Sequence, residues 1–164
     1  AFDYGTGKPS PLGMCIKNGI IYGDYMTSYS VMAVKKDGTI YTPAQGLMGK
    51  NLLAAGVKDT YNFGPVLIKD GEAQLPWAET EKYYPRTAVG MVKPNDYVLL
   101  VTDTGRYNGL NHWDMVNIFK SYGCTYAYNL DGGGSATLYF NGKVMNKLIG
   151  NTQRPCADFL YFTR

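Results

Sequence analysis

The sequence feature that most constrains the fold is the segment Asn129–Thr137, which reads Asn-Leu-Asp-Gly-Gly-Gly-Ser-Ala-Thr. A β-rich run from Cys124 to Leu130 precedes its aspartate, and a second run from Ala136 to Phe140 follows its serine. Three glycines leave the turn without side chains, so its backbone can adopt positive φ and approach a ligand closely. A tight hairpin capped by an aspartate needs only Asp-Gly. The segment therefore predicts a binding loop between two strands.

The composition of this loop indicates what it binds. Successive backbone N–H groups in a glycine-rich turn form a concave site for anions. We expect this role for the four residues Gly132, Gly133, Gly134 and Ser135. Asp131 and the Ser135 hydroxyl add reactive or positioning groups on either side of the glycines.

The remaining pattern predicts one α+β domain over residues 1–164, built on a mixed, mostly antiparallel twisted sheet with hairpins. Asn-Gly and Asp-Gly turns separate β-forming runs, and two segments have helical composition with a glycine stop. The predicted strands are 12–17 with 20–22, 30–35 with 39–42, 61–63, 66–69, 86–92 with 97–102, 124–130, 136–140 and a closing strand 157–163. The predicted helices are 47–55 and 111–122, the second capped by Asn111 and stopped by Gly123.

Several classes of protein are excluded by composition and motif. The net charge is only +3 and basic residues are scattered, which argues against a nucleic-acid partner. No run is long enough for a membrane span, and no P-loop or GxSxG motif is present. The three cysteines, Cys15, Cys124 and Cys156, make no zinc pattern and are expected to be small buried apolar residues. A Ser-His-Asp hydrolase is disfavoured because His112, at a helix start, is the only histidine.

Carboxylate and guanidinium chemistry remains. Asp103 ends a strongly apolar strand, where side chains commonly face a cleft. The arginines at 86, 106 and 154 and Asp158 also lie at strand starts or in loops. Arginine grips phosphate or carboxylate with two parallel hydrogen bonds. Each of these residues could equally be a solvated or paired surface charge.

Two segments carry a family resemblance. Pro85-Arg86-Thr87-Ala88-Val89-Gly90 and residues 129–138 resemble the two signatures of the phosphodiester glycosidase family. Residues 62–71 are similar to its central strand-turn segment, and residues 102–106 resemble the loop before its helix. The family's early Asn-Gly-x-Phe-Phe-like motif is matched only by its tail, at residues 1–4. We therefore expect the C-terminal portion of a longer chain, with part of the site on an upstream fragment that completes the domain.

The resemblance implies hydrolysis of a sugar-1-phosphodiester or a related cell-surface glycan. It implies Asp131, then Asp103, as the carboxylate at the anomeric carbon, and Arg86 on the departing phosphate. Further substrate or phosphate contacts are expected from Arg106, Asn129, Gly132, Gly133, Gly134, Ser135, Arg154 and Asp158. The resemblance also implies an extracellular or cell-envelope location, in keeping with secreted and exopolysaccharide-associated bacterial members of the family.

The candidate aspartates also bear on whether the site holds a metal ion. Asp131, Asp103 and Asp158 are oxygen ligands suited to Ca²⁺ or Mg²⁺, but their spacing matches no known cation loop, so we predict no metal and no cofactor.

Two alternatives to an enzyme stay open: a non-catalytic glycan or phosphosugar binding module, and a structural domain of a phage or cell-wall protein. The aromatic residues Trp77, Tyr83, Tyr84 and Trp113 could stack on sugar rings or serve as ordinary core or loop residues.

Overall fold

The structure, a computed structural model, describes residues 2–3, 10–25, 27–75, 82–103 and 108–163. Its strands are β1 Phe2–Asp3, β2 Ser10–Pro11, β3 Cys15–Lys17, β4 Ile20–Gly23, β5 Ser30–Lys35, β6 Ile40–Tyr41, β7 Val57–Phe63, β8 Val66–Lys69, β9 Glu72–Ala73, β10 Thr87–Lys93, β11 Asp96–Val101, β12 Tyr126–Leu130, β13 Tyr139–Phe140 and β14 Lys143–Val144. The α-helices are α1 Gly49–Ala54 and α2 His112–Ser121, and 3-10 turns span Gly133–Ser135 and Ile149–Asn151.

The main sheet has five strands in the order β11-β10-β12-β8-β9, and a second sheet has the order β6-β5-β7. The three remaining sheets are two-stranded hairpins or pairs. Every strand pairing within the described ranges is antiparallel. The fold is thus antiparallel β with two helices, which is consistent with the α+β class that we predicted but closer to mostly β. The expected parallel component is not seen in those ranges.

Two apolar layers enclose the main sheet. Helix α2 covers one face, where Met115, Val116 and Phe119 pack on Leu67 and Ile68. The opposite face packs against the second sheet through Met32, Tyr61, Val89, Met91, Tyr126 and Tyr128. Gly90 is required beneath the helix because a Cβ atom there would lie 2.5 Å from the Phe119 ring. The central strand of the sheet is therefore held on both faces.

Helix α2 forms for the reasons that its sequence indicated. The Asn111 side chain accepts from the Asp114 amide at 2.8 Å, and the Asp114 carboxylate accepts from the Asn111 amide at 3.3 Å. This reciprocal capping box satisfies two N–H groups at the helix start, and Gly123 ends the helix with φ of 75°. At 10 residues α2 is the longest helix in the described ranges, and none there has the length and apolar character needed to cross a membrane.

Two strand predictions near the C-terminus are wrong. The predicted strand 136–140 is reduced to β13, because the Asn146 side chain bonds the Ala136 carbonyl and the Leu138 amide in place of a partner strand. The predicted closing strand 157–163 has no regular structure and pairs with no strand of the described chain. Its residues favour β structure, but a strand also requires a neighbouring strand to pair with. The predicted strands 30–35 and 66–69 are present with the predicted bounds, and the other predicted strands and both helices are present with shifted ends.

Phe119→Ala is expected to lower the free energy of unfolding by about 3–5 kcal/mol, because it leaves a cavity beneath α2. The side chain is 0% exposed and contacts the sheet at Gly90. Chemical denaturation followed by circular dichroism measures the loss. The neighbouring exposed Lys120→Ala should change stability by no more than about 0.5 kcal/mol; equal losses at both positions would contradict this account of the core.

Alkaline pH is expected to destabilise the fold through three buried tyrosines. Burial raises the pKa values of Tyr61, Tyr126 and Tyr128 above that of an exposed tyrosine. A raised folded-state pKa means that the stabilisation is complete below pH of about 10 and falls above it, by up to about 1.4 kcal/mol per pH unit for each group. Urea titrations at increasing pH test this, with Tyr126→Phe expected to show a shallower dependence. An unchanged pH slope in that variant would be the contrary result.

Candidate active site

The candidate site lies where three neighbouring strands of the main sheet reach the same edge. Strand β12 runs into Asp131, and the pairing of Thr87 with Leu130 places Arg86 opposite Asp131. On the other side of β10, the Thr102 amide donates to the Arg86 carbonyl at 2.9 Å. The Thr102 hydroxyl accepts from the Arg86 amide at 3.0 Å. The sheet register thus brings together residues that are far apart in sequence.

The glycine-rich loop folds back over the start of β10. The Gly133 amide donates to the Pro85 carbonyl at 2.8 Å, and a Cβ atom on Gly132 would lie 2.4 Å from that same carbonyl oxygen. Gly133 has φ of 56°, a conformation that favours glycine. The loop geometry therefore favours glycine at two of the three positions, Gly132 and Gly133.

Most of the loop amides are engaged within the protein. The amides of Gly132, Gly133 and Ser135 donate to Asp131 Oδ1, to Pro85 and to Gly132, respectively. Our expectation of an anion site made of successive free N–H groups therefore needs revision.

The Asp131 carboxylate is the centre of the side-chain cluster. Its Oδ1 accepts from the Gly132 amide at 2.9 Å, and its Oδ2 accepts from the Ser135 hydroxyl at 2.8 Å. Oδ2 also forms an ion pair with Arg154 Nη2 at 2.8 Å. The carboxylate is 22% exposed, so it is oriented by three neighbours and still accessible.

Arg154 approaches this carboxylate from the C-terminal segment. Its Nε donates to Ser135 Oγ at 2.9 Å, and its Nη2 donates to the same oxygen as well as to Asp131. The guanidinium is 41% exposed and lies beside Gly134. The Cys156 thiol is 3.5 Å from Ser135 Oγ. Asp131, Ser135 and Arg154 thus form one connected group, which we call the Asp131 cluster.

Arg86, opposite Asp131 in the strand register, has its side chain held by backbone carbonyls. Its Nε donates to Leu110 O at 3.1 Å and its Nη2 donates to Lys82 O at 3.0 Å. The guanidinium carbon lies 5.2 Å from the centre of the Tyr84 ring, within the range of a cation–π contact. These contacts fix the guanidinium and join the Lys82–Arg86 segment to Leu110.

Asn129 supports the site from inside the sheet. It is 1% exposed, and its Nδ2 donates to Gly64 O at 2.7 Å while its carbonyl accepts from the Gly64 amide at 3.1 Å. Its Oδ1 is buried with no hydrogen-bond partner among the described residues. The side chain therefore ties β12 to the turn between β7 and β8. Its predicted contact with substrate stays a prediction.

The other predicted residues have different surroundings. Asp103 Oδ2 accepts from the Lys147 amide at 2.9 Å and so joins the end of β11 to the segment after β14. Asp158 does not join the Asp131 cluster but pairs with Lys17 at 3.0 Å. Arg106 lies outside the described residues, as does Trp77.

His112 and the cysteines can also be placed. His112 is 5% exposed, so it is buried at the start of α2 instead of solvated. Cys15 and Cys124 are buried as expected, but Cys156 is exposed, and all three thiols are free. Burial raises the pKa of both buried thiols. The described residues contain no group of three or more His, Cys, Asp or Glu side chains that could hold a metal ion.

Two residues that make contacts in this region, Lys17 and Cys156, could not be identified as such from the sequence. Lys17 lies in an early hairpin and Cys156 follows Pro155, and neither belongs to a recognisable motif. Lys17 contacts Asp158, and Cys156 contacts Ser135. Both contacts depend on the path of a C-terminal segment without regular structure, which no local pattern specifies.

Comparison with known proteins shows the family. The family model for phosphodiester glycosidases matches residues 1–163. The SPbeta prophage-derived uncharacterized protein YomE of Bacillus subtilis is 31% identical over 160 residues, covering 91% of this chain and 25% of that protein. Mouse N-acetylglucosamine-1-phosphodiester alpha-N-acetylglucosaminidase is 28% identical over 156 residues, covering 79% of this chain and 29% of that enzyme.

A solved structure shares the fold. The catalytic domain of the zebrafish N-acetylglucosamine-1-phosphodiester alpha-N-acetylglucosaminidase, auto-inhibited by its pro-peptide, aligns with a TM-score of 0.73 and 23% identity. The alignment covers 96% of this chain and 58% of the zebrafish chain. The chain thus spans between 25% and 29% of the length of the curated relatives above. Because the family model covers nearly all of its residues, the chain belongs to the phosphodiester glycosidase family.

Proposed function

We propose that this domain hydrolyses the bond between the anomeric carbon and the phosphate oxygen of a sugar-1-phosphodiester. Water adds its oxygen to the sugar, and the acceptor leaves as a phosphate monoester. Family membership supports a phosphodiester glycosidase in general terms. The Asp131 cluster supports the specific assignment of residues.

The observation that carries this proposal is the ion pair between Asp131 and Arg154, with its atoms 2.8 Å apart. In the transition state of glycoside cleavage, positive charge develops at the anomeric carbon. Negative charge develops on the departing phosphate. An anionic carboxylate beside a cationic guanidinium matches this pair of charges, and fixed charges of this kind stabilise a transition state strongly.

Each member of the site then has a role. Asp131 acts at the anomeric carbon as nucleophile or base, and Arg154 binds the phosphate of the substrate from its position beside Asp131 and Ser135. Ser135 holds the carboxylate through its hydroxyl. Arg86, fixed opposite Asp131, adds positive charge on the phosphate side. The side-chain-free surface of Gly132, Gly133 and Gly134 lets the substrate come close.

A phosphate leaving group also explains which residues the site contains. It departs with less help from a general acid than the alkoxide of an ordinary glycoside. His112, the one histidine of the sequence, is buried at the start of α2. Asp103, which follows β11 two residues after its end, is the second carboxylate that we propose for the site.

The experiment that tests this function is a hydrolysis assay with a panel of sugar-1-phosphodiesters. The expected products are free sugar and the phosphate monoester of the acceptor, in equal amounts. Assays should include a form of the protein extended upstream, since we propose that a preceding fragment completes the domain. Failure to release sugar from any diester in either form would overturn the proposal.

We propose a working location outside the cytoplasm, in the medium or at the cell envelope, where glycosyl phosphodiesters of surface polymers occur. A secreted pool or an envelope fraction that contains the protein, detected by immunoblotting, would support this location. Recovery only from the cytoplasm would argue against it.

A glycan-binding module is the second candidate function, favoured by one aromatic pair. The Tyr29 and Phe63 rings are stacked with centroids 6.1 Å apart, and Tyr29 is 43% exposed. Phe63 precedes Gly64, whose amide donates to the Asn129 carbonyl, so the pair lies at the same end of the sheets as Asp131. Flat aromatic surfaces with a polar hydroxyl suit sugar rings.

Titration with oligosaccharides distinguishes the two functions. Tyr29→Ala should weaken binding if the pair is a sugar platform, whereas Tyr22→Ala, at a tyrosine 68% exposed in β4, should not. Binding that depends on Tyr29 without any turnover would support the binding module. Equal effects of both variants would exclude the platform.

A further inference from the structure

The C-terminal segment that delivers Arg154 to the site is attached to the fold at a second place. Asp158 Oδ2 lies 3.0 Å from Lys17 Nζ, and the two side chains are 29% and 23% exposed. Only Pro155, Cys156 and Ala157 separate Asp158 from Arg154. These connecting residues have no regular secondary structure, so no helix or strand fixes the position of Arg154.

Lys17 is itself held in place by the second sheet region. Its Nζ also donates to Thr60 O at 2.9 Å and lies 3.4 Å from the centre of the Tyr61 ring. The Tyr61 hydroxyl in turn donates to Phe159 O at 3.4 Å. Phe159 is therefore bonded to β7 directly and Asp158 is linked to it through Lys17, and β7 lies outside the sheet that carries Asp131. A partly buried ion pair with further hydrogen bonds is better defined than an exposed one.

We propose that the Lys17–Asp158 ion pair is a positioning clamp that holds Arg154 against Asp131 and Ser135. The inference rests on the proposed function for its catalytic consequence, and it gives Asp158 a role away from the substrate. Neither Lys17 nor Asp158 touches the reacting atoms. They act by fixing the path of the short connection to Arg154, because small displacements of a charged group within a site change rates strongly.

The Cys156 thiol reports on this clamp independently of activity. It lies between Arg154 and Asp158 and contacts Ser135 Oγ at 3.5 Å and Arg154 O at 3.4 Å. It is exposed, whereas Cys15 and Cys124 are buried. Release of the segment should speed the reaction of one thiol with a disulfide reagent such as DTNB, whereas global unfolding would expose all three.

The test compares Lys17→Met and Asp158→Asn with the control Lys58→Met. Methionine keeps most of the apolar stem of Lys17, and Lys58 belongs to a looser pair with Asp59 at 3.8 Å. Both clamp variants should raise the labelling rate of Cys156 by about threefold or more while two thiols stay protected. Lys58→Met should leave the rate unchanged. An unchanged rate in both clamp variants would overturn the clamp.

Kinetics on a sugar-1-phosphodiester separate positioning from general structural support. Lys17→Met should lower kcat/KM by about tenfold in the otherwise unsubstituted protein. In a protein that already carries Arg154→Gln, the same change should lower kcat/KM by less than about twofold, because the effects of coupled residues are not additive. An equal loss of kcat/KM in both backgrounds would show that Lys17 does not act through Arg154 and would overturn the proposed positioning role. Absence of all turnover in the unsubstituted protein would instead overturn the proposed function, and the thiol measurement would still decide the clamp.

Discussion

Asp131→Asn is expected to lower kcat for a sugar-1-phosphodiester by on the order of 10³-fold, because it removes the charged group that acts at the anomeric carbon. The amide has the size of the carboxylate, and its oxygen can still accept from the Gly132 amide, while its NH2 group donates to the Ser135 hydroxyl oxygen where the carboxylate accepted from it. The loop should therefore keep its shape. Steady-state kinetics measure the loss, and thermal unfolding checks that the fold is retained.

Asp103→Asn is the matched control for this prediction. Asp103 follows β11, the strand on the far side of β10 from β12, and accepts from the Lys147 amide, a contact that an asparagine oxygen can also make. We expect a smaller loss of kcat than for Asp131→Asn. If Asp103→Asn abolished turnover while Asp131→Asn remained active, the assignment of the two carboxylates would have to be exchanged.

Gly132→Ala is expected to produce the second-largest effect, a loss of kcat/KM of about 100-fold. The new Cβ atom would lie 2.4 Å from the Pro85 carbonyl oxygen, and the nearest atoms belong to backbone that cannot move aside cheaply. The loop must shift, and Asp131 and Ser135 shift with it. An overpacking cost of about 1–3 kcal/mol in the free energy of unfolding should accompany the loss.

Gly134→Ala provides the control for stability. Its Cβ atom would meet only the flexible Arg154 side chain, at an ordinary distance of 3.7 Å. We expect the free energy of unfolding to change by no more than about 0.5 kcal/mol. A destabilisation by Gly134→Ala as large as that by Gly132→Ala would contradict the close approach of Gly132 to Pro85.

Much of the fold could be predicted because its signals are local. Asn18-Gly19 gives the turn between β3 and β4, and both residues have positive φ. Asn111 and Gly123 mark the ends of α2 through capping and a left-handed backbone. Such signals depend on a few neighbouring residues, so they survive in any tertiary context.

The failures share a tertiary cause. Residues 157–163 have the composition of a strand, but in the described structure they lie on the surface with Phe159 and Tyr161 exposed. Strand β7 is longer than the predicted 61–63 because residues from Val57 onward pair with β5. Pairing partners decided both outcomes, and a single sequence does not show which edges are available.

For the site too, the features contained in one short segment could be predicted, whereas the contacts between distant segments could not. The Asp131 loop could be recognised because one short segment contains it, and Arg154 could be named as a candidate from its residue type. The 2.8 Å contact between them joins residues that are 23 positions apart. The Lys17–Asp158 pair joins the two ends of the chain. Neither contact has a signature in sequence spacing, and both determine how the cluster is arranged.

The measurement that tests the central claim most directly is hydrolysis of a sugar-1-phosphodiester in water enriched in ¹⁸O, with mass analysis of both products. Cleavage at the anomeric carbon, assisted by Asp131, places the heavy oxygen in the free sugar and none in the phosphate monoester. We predict that result, and we predict that Asp131→Asn removes it. Heavy oxygen in the phosphate, with release of a sugar-1-phosphate, would show attack at phosphorus and would contradict the account.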